Sequence, residues 1–387
     1  MTGNEAVANA LRQINPDVMA AYPITPQTEM VQYFSQFAAD GRVKTEVIAV
    51  ESEHSAMSAT IGASSAGARA MTATSSQGLA LMWEMLHIAS GYRCPIVMPV
   101  ANRALSGPIN IHCDHSDTMG CLSTGWLQIY SENVQEAYDN VIQAVRIAED
   151  SRVMLPVMVC YDGFITSHGI ENLTLLNDEE VSRFVGEYNP PEHLLNLEKP
   201  LTVGPLMLTD YYTEAKFQQA LALSDSKQVI LEVAREFEKV SGRRYGLFEG
   251  YRLEDADRVI VVLSSTAGTT KAAVDELRRK GQKVGLLKPR VIRPFPASEL
   301  VEALSGALAV AVMDRAESFS NQGGHIFTEL RAAFYTHAKR PLMRGYVFGL
   351  GGRDTTIREI IRVFSDLDED IRRGQVTEPY TYLDVRA

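Results

Sequence analysis

The chain has 387 residues, too many for one ordinary domain and enough for two or three. Apolar residues make up 45% and charged residues 22%, the balance of a soluble globular protein. A net charge of −11 argues against nucleic acid, and no apolar run approaches the ~20 residues of a membrane span.

Residues 19–22 form a short apolar run that ends at Pro23. Residues 27–39 read as a helix, with Thr25 ahead of it and Pro26 suited to its first turn. A strand pattern over 45–50 leads into an Ala- and Ser-rich helix over 53–66. Another strand, 68–73, is followed by the loop 74–78 and a helix to about Ser90. A buried-type strand at 95–101 opens a long loop that reaches Gly120. A helix over 134–149 and a strand over 153–161 close this rhythm. Strands separated by helices imply a parallel sheet covered on both faces. From Asp162 to Tyr212 the Pro-rich text predicts an extended segment, and 213–240 a long amphipathic helix. A second α/β unit follows, with strands at 258–263, 283–288, 307–313 and 344–347. Helices are expected between them at 269–280, 296–304 and 323–335. The expected domains are therefore 1–165, a parallel-sheet α/β domain; 166–245, an extended segment with a long helix; and 246–387, a second α/β domain.

Several short motifs could carry chemistry. Tyr22-Pro-Ile-Thr-Pro26 joins a strand to a helix, where ligands of open parallel sheets gather. Thr25 there either caps the helix or, with free backbone amides, cradles an anion. Glu51-Ser-Glu53 opens the Ala-rich helix. Either glutamate could complement the helix dipole, and one in a buried first turn could share a proton with a cofactor nitrogen. Two residues apart, they point to different sides, so only one can face a given site. Arg103, at a strand's carboxyl end, could hold a carboxylate or make a surface ion pair. Thr74-Ser-Ser-Gln-Gly78 is either a close approach to a cofactor or an ordinary turn. His112, Asp114, His115 and Asp117 read as loop residues more readily than as metal ligands. Gly349-Leu-Gly-Gly352 lacks dinucleotide spacing and reads as a plain turn. The four cysteines, Cys94, Cys113, Cys121 and Cys160, include no CxxC pair. Reduced thiols in a cytoplasmic protein are expected, with no signal-peptide core in residues 1–13.

These strings occur in an order that resembles one family. Tyr22-Pro-Ile-Thr-Pro26, Glu51-Ser-Glu53-His, Ser75-Ser-Gln-Gly78, Asn102-Arg103-Ala-Leu-Ser-Gly-Pro108, Asp114-His-Ser-Asp117 and Tyr161-Asp-Gly-Phe164 are similar to the alpha subunits of 2-oxo-acid:ferredoxin oxidoreductases, the pyruvate enzymes above all. Ser264-Ser-Thr-Ala-Gly268, Val291-Ile-Arg-Pro-Phe-Pro296, Asp314-Arg315 and Gly349-Leu-Gly-Gly-Arg-Asp354 extend the resemblance over nearly the whole chain.

The resemblance implies a pyrimidine-type thiamine-diphosphate domain followed by a domain like the C-terminal one of transketolase. It implies that Glu53 bonds the N1′ nitrogen of the cofactor's aminopyrimidine ring, favouring its imino tautomer. Thr25 and Arg103 fall where such enzymes hold the substrate carboxylate, and Pro23, Ile24, Gln77 and Gly78 where they line the cofactor. The implied reaction is CoA-dependent oxidative decarboxylation of pyruvate to acetyl-CoA, with electrons passed to ferredoxin. Phenylglyoxylate, a branched 2-oxo acid or oxalate as substrate, NAD as acceptor, and a non-catalytic assembly role remain alternatives. A Gly-Asp-Gly motif for magnesium and diphosphate is missing. Asp162-Gly163 and Asp40-Gly41 lack the leading Gly, and Asn189 lies in an Asn-Pro-Pro setting unsuited to ligation. A beta subunit is therefore expected to supply the magnesium and diphosphate side, and partner chains, including gamma and delta subunits, the 4Fe-4S clusters. The expected particle is a dimerised hetero-oligomer, inactive as a lone alpha chain.

Overall fold

Two sheets organise the chain in the computed structural model, which describes residues 1–190, 192–383 and 385–386. The first half contributes β1 (Val18–Ala21), β2 (Glu46–Ala49), β3 (Ala70–Met71), β4 (Val97–Asn102), β5 (Leu127–Ser131) and β6 (Val157–Asp162). The second half contributes β7 (Phe248–Tyr251), β8 (Arg258–Val262), β9 (Val284–Pro289), β10 (Val291–Arg293), β11 (Ala309–Asp314), β12 (Leu342–Val347) and β13 (Tyr380–Tyr382). The strand orders are β10-β5-β6-β4-β3-β1-β2 and β13-β12-β11-β8-β9-β7. All neighbours run parallel except two edge strands, β10 against β5 and β7 against β9. Both domains are thus α/β, with sheets that are parallel apart from one edge each.

Burial explains the strand texture. Every residue of β4, β6 and β11 is buried, because helices cover both faces of each sheet. The Ala-rich helix Glu53–Ser65 begins after β2, and its N-cap Ser52 accepts from the Ser55 amide at 3.2 Å. The expected helix after the 74–78 loop is two helices, Ser76–Leu81 and Trp83–Gly91. The long helix Tyr212–Ser241 ends at Gly242, whose φ of 71° suits the left-handed cap.

Some elements carry no simple periodic pattern. The helix Gly3–Ile14 buries two polar residues, each of them paired. Asn4 donates to the Pro26 carbonyl at 2.8 Å, and Gln13 donates to the Leu176 carbonyl at 2.8 Å. The strand β5 buries Gln128, which donates to the Thr118 carbonyl at 2.9 Å. The helix Ile357–Arg373 is rich in charge, yet buries Ile360, Val363, Phe364 and Leu367 on one stripe.

A buried ionic cluster fastens the halves together. Lys288 of β9 is 3% exposed and pairs with Glu132 at 2.6 Å, with Glu136, and with Glu249 at 2.8 Å. Lys271 also reaches Glu132 at 2.8 Å. Beside it Arg290 donates to Asn140 at 2.9 Å and to Gln143 at 3.1 Å. Removing the central cation would leave three carboxylates facing one another, a change that typically costs about 3–5 kcal/mol. Lys288→Met should therefore lower the thermal midpoint by several degrees in differential scanning calorimetry. An unchanged midpoint would show that Lys271 alone suffices.

Candidate active site

The candidate residues gather at the carboxyl ends of β2, β1, β3 and β4, four adjacent parallel strands. Glu53 starts the helix after β2. It is 6% exposed, and among the described residues nothing donates a hydrogen bond to its carboxylate. Gly78 lies against it, where a Cβ would stand 2.7 Å from Glu53 Oε1 and would collide with Thr74 Oγ1. Glu51 turns the other way into solvent and accepts from Ser55 Oγ at 2.5 Å. That hydrogen bond holds its carboxyl below the usual range. Of the two glutamates, only Glu53 is left to face the crevice.

Several buried polar atoms on the stretch that leads from β3 into the helix Ser76–Leu81 have no partner among the described residues. They include Thr72 Oγ1, Thr74 Oγ1, Ser75 Oγ and Gln77 Nε2. Gln77 Oε1, by contrast, accepts from Ser76 Oγ at 2.7 Å. Unsatisfied buried groups in such number are costly, and a bound polar molecule relieves the cost.

Arg103 follows β4 and is 7% exposed. Its Nε donates to the Asn110 carbonyl and its Nη1 to the Thr25 carbonyl, both at 3.0 Å. Among the described residues no carboxylate forms an ion pair with it, and Nη2 has no partner. Burial pushes its guanidinium pKa down, with nearby Asp117 opposing. A nearly buried cation whose hydrogen bonds go to neutral carbonyls has the chemistry to accept an anion.

The Thr25 turn differs from the sequence expectation. Thr25 does not cap a helix; the helix is Thr28–Ala39, and its N-cap Gln27 makes no side-chain capping bond. The amides of Gln27 and Thr28 both donate to the Ile24 carbonyl, at 2.8 and 3.1 Å, so they are not free to form an anion cradle. Thr25 is exposed, and its contact with Arg103 runs through its backbone carbonyl. Gln27 ties the turn to the sheet by donating to the Ala73 carbonyl at 3.2 Å. Pro23 and Ile24 sit on the same turn, Pro23 exposed and Ile24 half-buried.

Asp117 connects the two sides of the crevice, a role the sequence alone did not reveal. Its carboxylate accepts from the Ser76 amide at 3.1 Å, the Arg103 amide at 3.0 Å and Asn102 Nδ2 at 2.8 Å. Burial pushes its carboxyl up to about 6 against those donors. The other polar residues of the loop have separate tasks. His112 packs against the Phe164 ring, with centroids 5.1 Å apart. Asp114 accepts from Ser116 and from the Gly351 amide. His115 Nε2 meets Asp162 Oδ1 at 2.8 Å.

Asp162 ends β6 and is completely buried. Its other oxygen accepts from Arg315 Nη1 at 3.1 Å and from the Ser265 hydroxyl. Asp162-Gly163 is thus part of a tether between the domains. Cys113, His115 and Asp162 bring metal-capable atoms close together, but both Asp162 oxygens already have protein partners. All four cysteines are free and buried. Among the described residues no helix is long and apolar enough to cross a membrane.

Comparison with known proteins defines the class first. A family model described as pyruvate flavodoxin/ferredoxin oxidoreductase, thiamine diphosphate-binding, matches residues 9–235. A second, pyruvate:ferredoxin oxidoreductase core domain II, matches residues 256–360. The crevice therefore lies in a thiamine-diphosphate-binding type of α/β domain. The chain belongs to the pyruvate flavodoxin/ferredoxin oxidoreductase family. It is 55% identical over 386 residues to pyruvate synthase subunit PorA of Thermotoga maritima, covering 100% of this chain and 97% of that protein. It is 43% identical over 377 residues to ketoisovalerate oxidoreductase subunit VorA of Pyrococcus abyssi, covering 97% and 95%. Its fold is similar to that of a 2-oxoglutarate:ferredoxin oxidoreductase from Magnetococcus marinus, with a TM-score of 0.71 at 20% identity. That match covers 95% of this chain, which spans 64% of the neighbour's chain.

The residues present suit the aminopyrimidine side of such a cofactor. Glu53 offers a carboxyl with no donor among the described residues, only a glycine at 78 lets Glu53 and Thr74 pack so closely there, and Gln77 Nε2 is a buried donor still lacking an acceptor.

The Asp162 tether gives a pH signature. Burial pushes its carboxyl up, but His115, Arg315 and Ser265 together hold it well below the usual range. A carboxyl depressed on folding stabilises the fold fully above its unfolded pKa of about 4, and that contribution is lost as pH falls through the folded value. Asp162→Asn should therefore be less stable than wild type at pH 7, with the gap narrowing as pH drops below about 4. Urea midpoints measured from pH 7 to pH 3 check this, and a constant gap would contradict it.

Proposed function

We propose that this chain is the alpha-type subunit of an oxidoreductase that decarboxylates pyruvate oxidatively, transferring the acyl group to coenzyme A and electrons to ferredoxin. The observation that carries this reading is the presence, at the carboxyl ends of β2 and β4 in one parallel sheet, of a buried carboxyl, Glu53, and a buried guanidinium, Arg103, neither of which has an ion-pair partner among the described residues. The relative named for pyruvate synthase supports the substrate. The solved neighbour, described with 2-oxoglutarate, coenzyme A and succinyl-CoA bound, supports the reaction type. Partner subunits supply the magnesium and diphosphate side and the iron–sulfur clusters in this reading, so the isolated chain is inactive.

When bound, thiamine diphosphate supplies a carbon nucleophile and a place to store the electrons released by decarboxylation. This chain's residues do the positioning and the proton work. Glu53 holds a proton between its carboxyl and the far nitrogen of the pyrimidine ring. Gly78 lets Glu53 pack where it stands, Gln77 Nε2 would donate to the ring's polar edge, and Pro23 and Ile24 would line the cofactor. Arg103 receives the carboxylate of the 2-oxo acid through Nη2, beside Thr25, and so orients the bond that breaks.

Two variants test these roles in the complex reconstituted with its partner subunits. Glu53→Gln should assemble normally and lose at least a hundred-fold in pyruvate decarboxylation, read as carbon dioxide release. Near-normal turnover would end the assignment. Arg103→Ala loses a charge-assisted contact worth about 1.5–3 kcal/mol, so KM should rise roughly 10- to 100-fold. The same assay with pyruvate, a branched 2-oxo acid and 2-oxoglutarate ranks the substrates. Pyruvate should give the highest kcat/KM, and preference for the branched acid would move the chain toward its ketoisovalerate-type relative.

A further inference from the structure

The Gly-rich loop after β12 reads in sequence as a plain turn, yet it reaches across to the first domain. Gly349, Gly351 and Gly352 all have positive φ, at 62°, 59° and 83°. Gly351 accepts from Asn110 Nδ2 at 3.0 Å through its carbonyl and donates from its amide to Asp114 Oδ2 at 3.1 Å. One glycine thus grips both ends of the stretch 110–114. A Cβ on Gly351 would run into the Asn110 amide, and one on Gly352 into the His112 side chain. The same loop is anchored behind, where Arg315 Nε donates to the Gly349 carbonyl at 3.1 Å while its Nη1 reaches Asp162.

What the loop grips is the seat of Arg103. The Asn110 carbonyl accepts from Arg103 Nε, and the Ala104 amide donates to the His112 carbonyl at 3.0 Å, closing the segment 104–112 into a loop. Of the two acceptors that hold the guanidinium, one comes from the Thr25 turn and the other is fixed from the second domain. We infer that Gly351 and Asn110 are positioning residues, through which the second domain sets the orientation of the Arg103 guanidinium and so the affinity for the 2-oxo acid carboxylate. This rests on the reading of Arg103 as the carboxylate receptor. It gives the second domain a part in substrate binding. The chemistry recognised is the carboxylate common to all 2-oxo acids, so the effect should not depend on the rest of the substrate.

The test is a double-mutant cycle in the reconstituted complex. Gly351→Ala and Asn110→Ala should each raise KM about five- to ten-fold and change kcat less than two-fold, by the same factor for pyruvate and for a branched 2-oxo acid. Gly374→Ala is the control, because Gly374 has a φ of 66° but open space at its Cβ; it should leave KM unchanged. In an Arg103→Ala background, Gly351→Ala should have no further effect on KM, because the group it acts through is gone. Independent, multiplying effects of the two substitutions would overturn the inference while leaving Arg103 in its role. A KM rise confined to one substrate would also overturn it. If Arg103→Ala itself left KM unchanged, the receptor role and the inference would fall together. Should Gly351→Ala fail to assemble, Asn110→Ala carries the same cycle without backbone strain.

Discussion

The arrangement depends on a single buried carboxylate. Asp162 stands where β6 runs out, and its two oxygens collect groups from three distant stretches of chain: His115, Ser265 and Arg315. An isolated charge in such a place would be prohibitive, and one with a cationic partner and further hydrogen bonds is sustainable. Because the partners come from both domains, the charge can be satisfied only when the domains are docked in one relation. Lys288 repeats the logic on β9 of the second sheet, with its three glutamates drawn from both halves.

That docking sets the crevice. The long loop after β4 is pinned at His115 by Asp162, at Asp117 by its own donors, and at Asn110 and Asp114 by Gly351. Arg103 lies at the start of this loop, and although Asp117 is near, no carboxylate among the described residues forms an ion pair with its guanidinium. On the opposite side Glu53 packs directly against Gly78, and nothing among the described residues donates to its carboxyl. A carboxyl and a guanidinium without ion-pair partners among the described residues, both sheltered from water, would be a defect in a purely structural protein. In this fold they stand at the strand ends where ligands of parallel sheets collect.

Much of this was legible in the residues. Apolar runs separated by amphipathic stretches revealed most strands and helices of both domains, since buried parallel strands and covering helices leave strong periodic patterns. The two-residue spacing of Glu51 and Glu53 correctly implied that one would turn away. Elements whose polar residues are buried in pairs were harder to read. The first helix hides Asn4 and Gln13, and β5 hides Gln128, each donating to a carbonyl that sequence cannot bring near. Asp162 illustrates the same limit. Beside Gly163 it resembles half of a magnesium motif, while its actual partners lie 47, 103 and 153 residues away. The Gly349–Gly352 loop resembles a family string, but only its contact with Asn110 reveals what the glycines are for.

The exchange of β10 between the halves has a practical corollary. The two family matches end and resume at 235 and 256, which invites splitting the gene between them. Yet residues 291–293 form the antiparallel border of the first sheet, covering β5. A fragment ending near 250 would carry β5 as a raw, untwinned margin, open to pairing with another copy of itself. Anyone expressing the amino-terminal half alone would meet insoluble material for a reason that lies forty residues beyond the chosen stop codon.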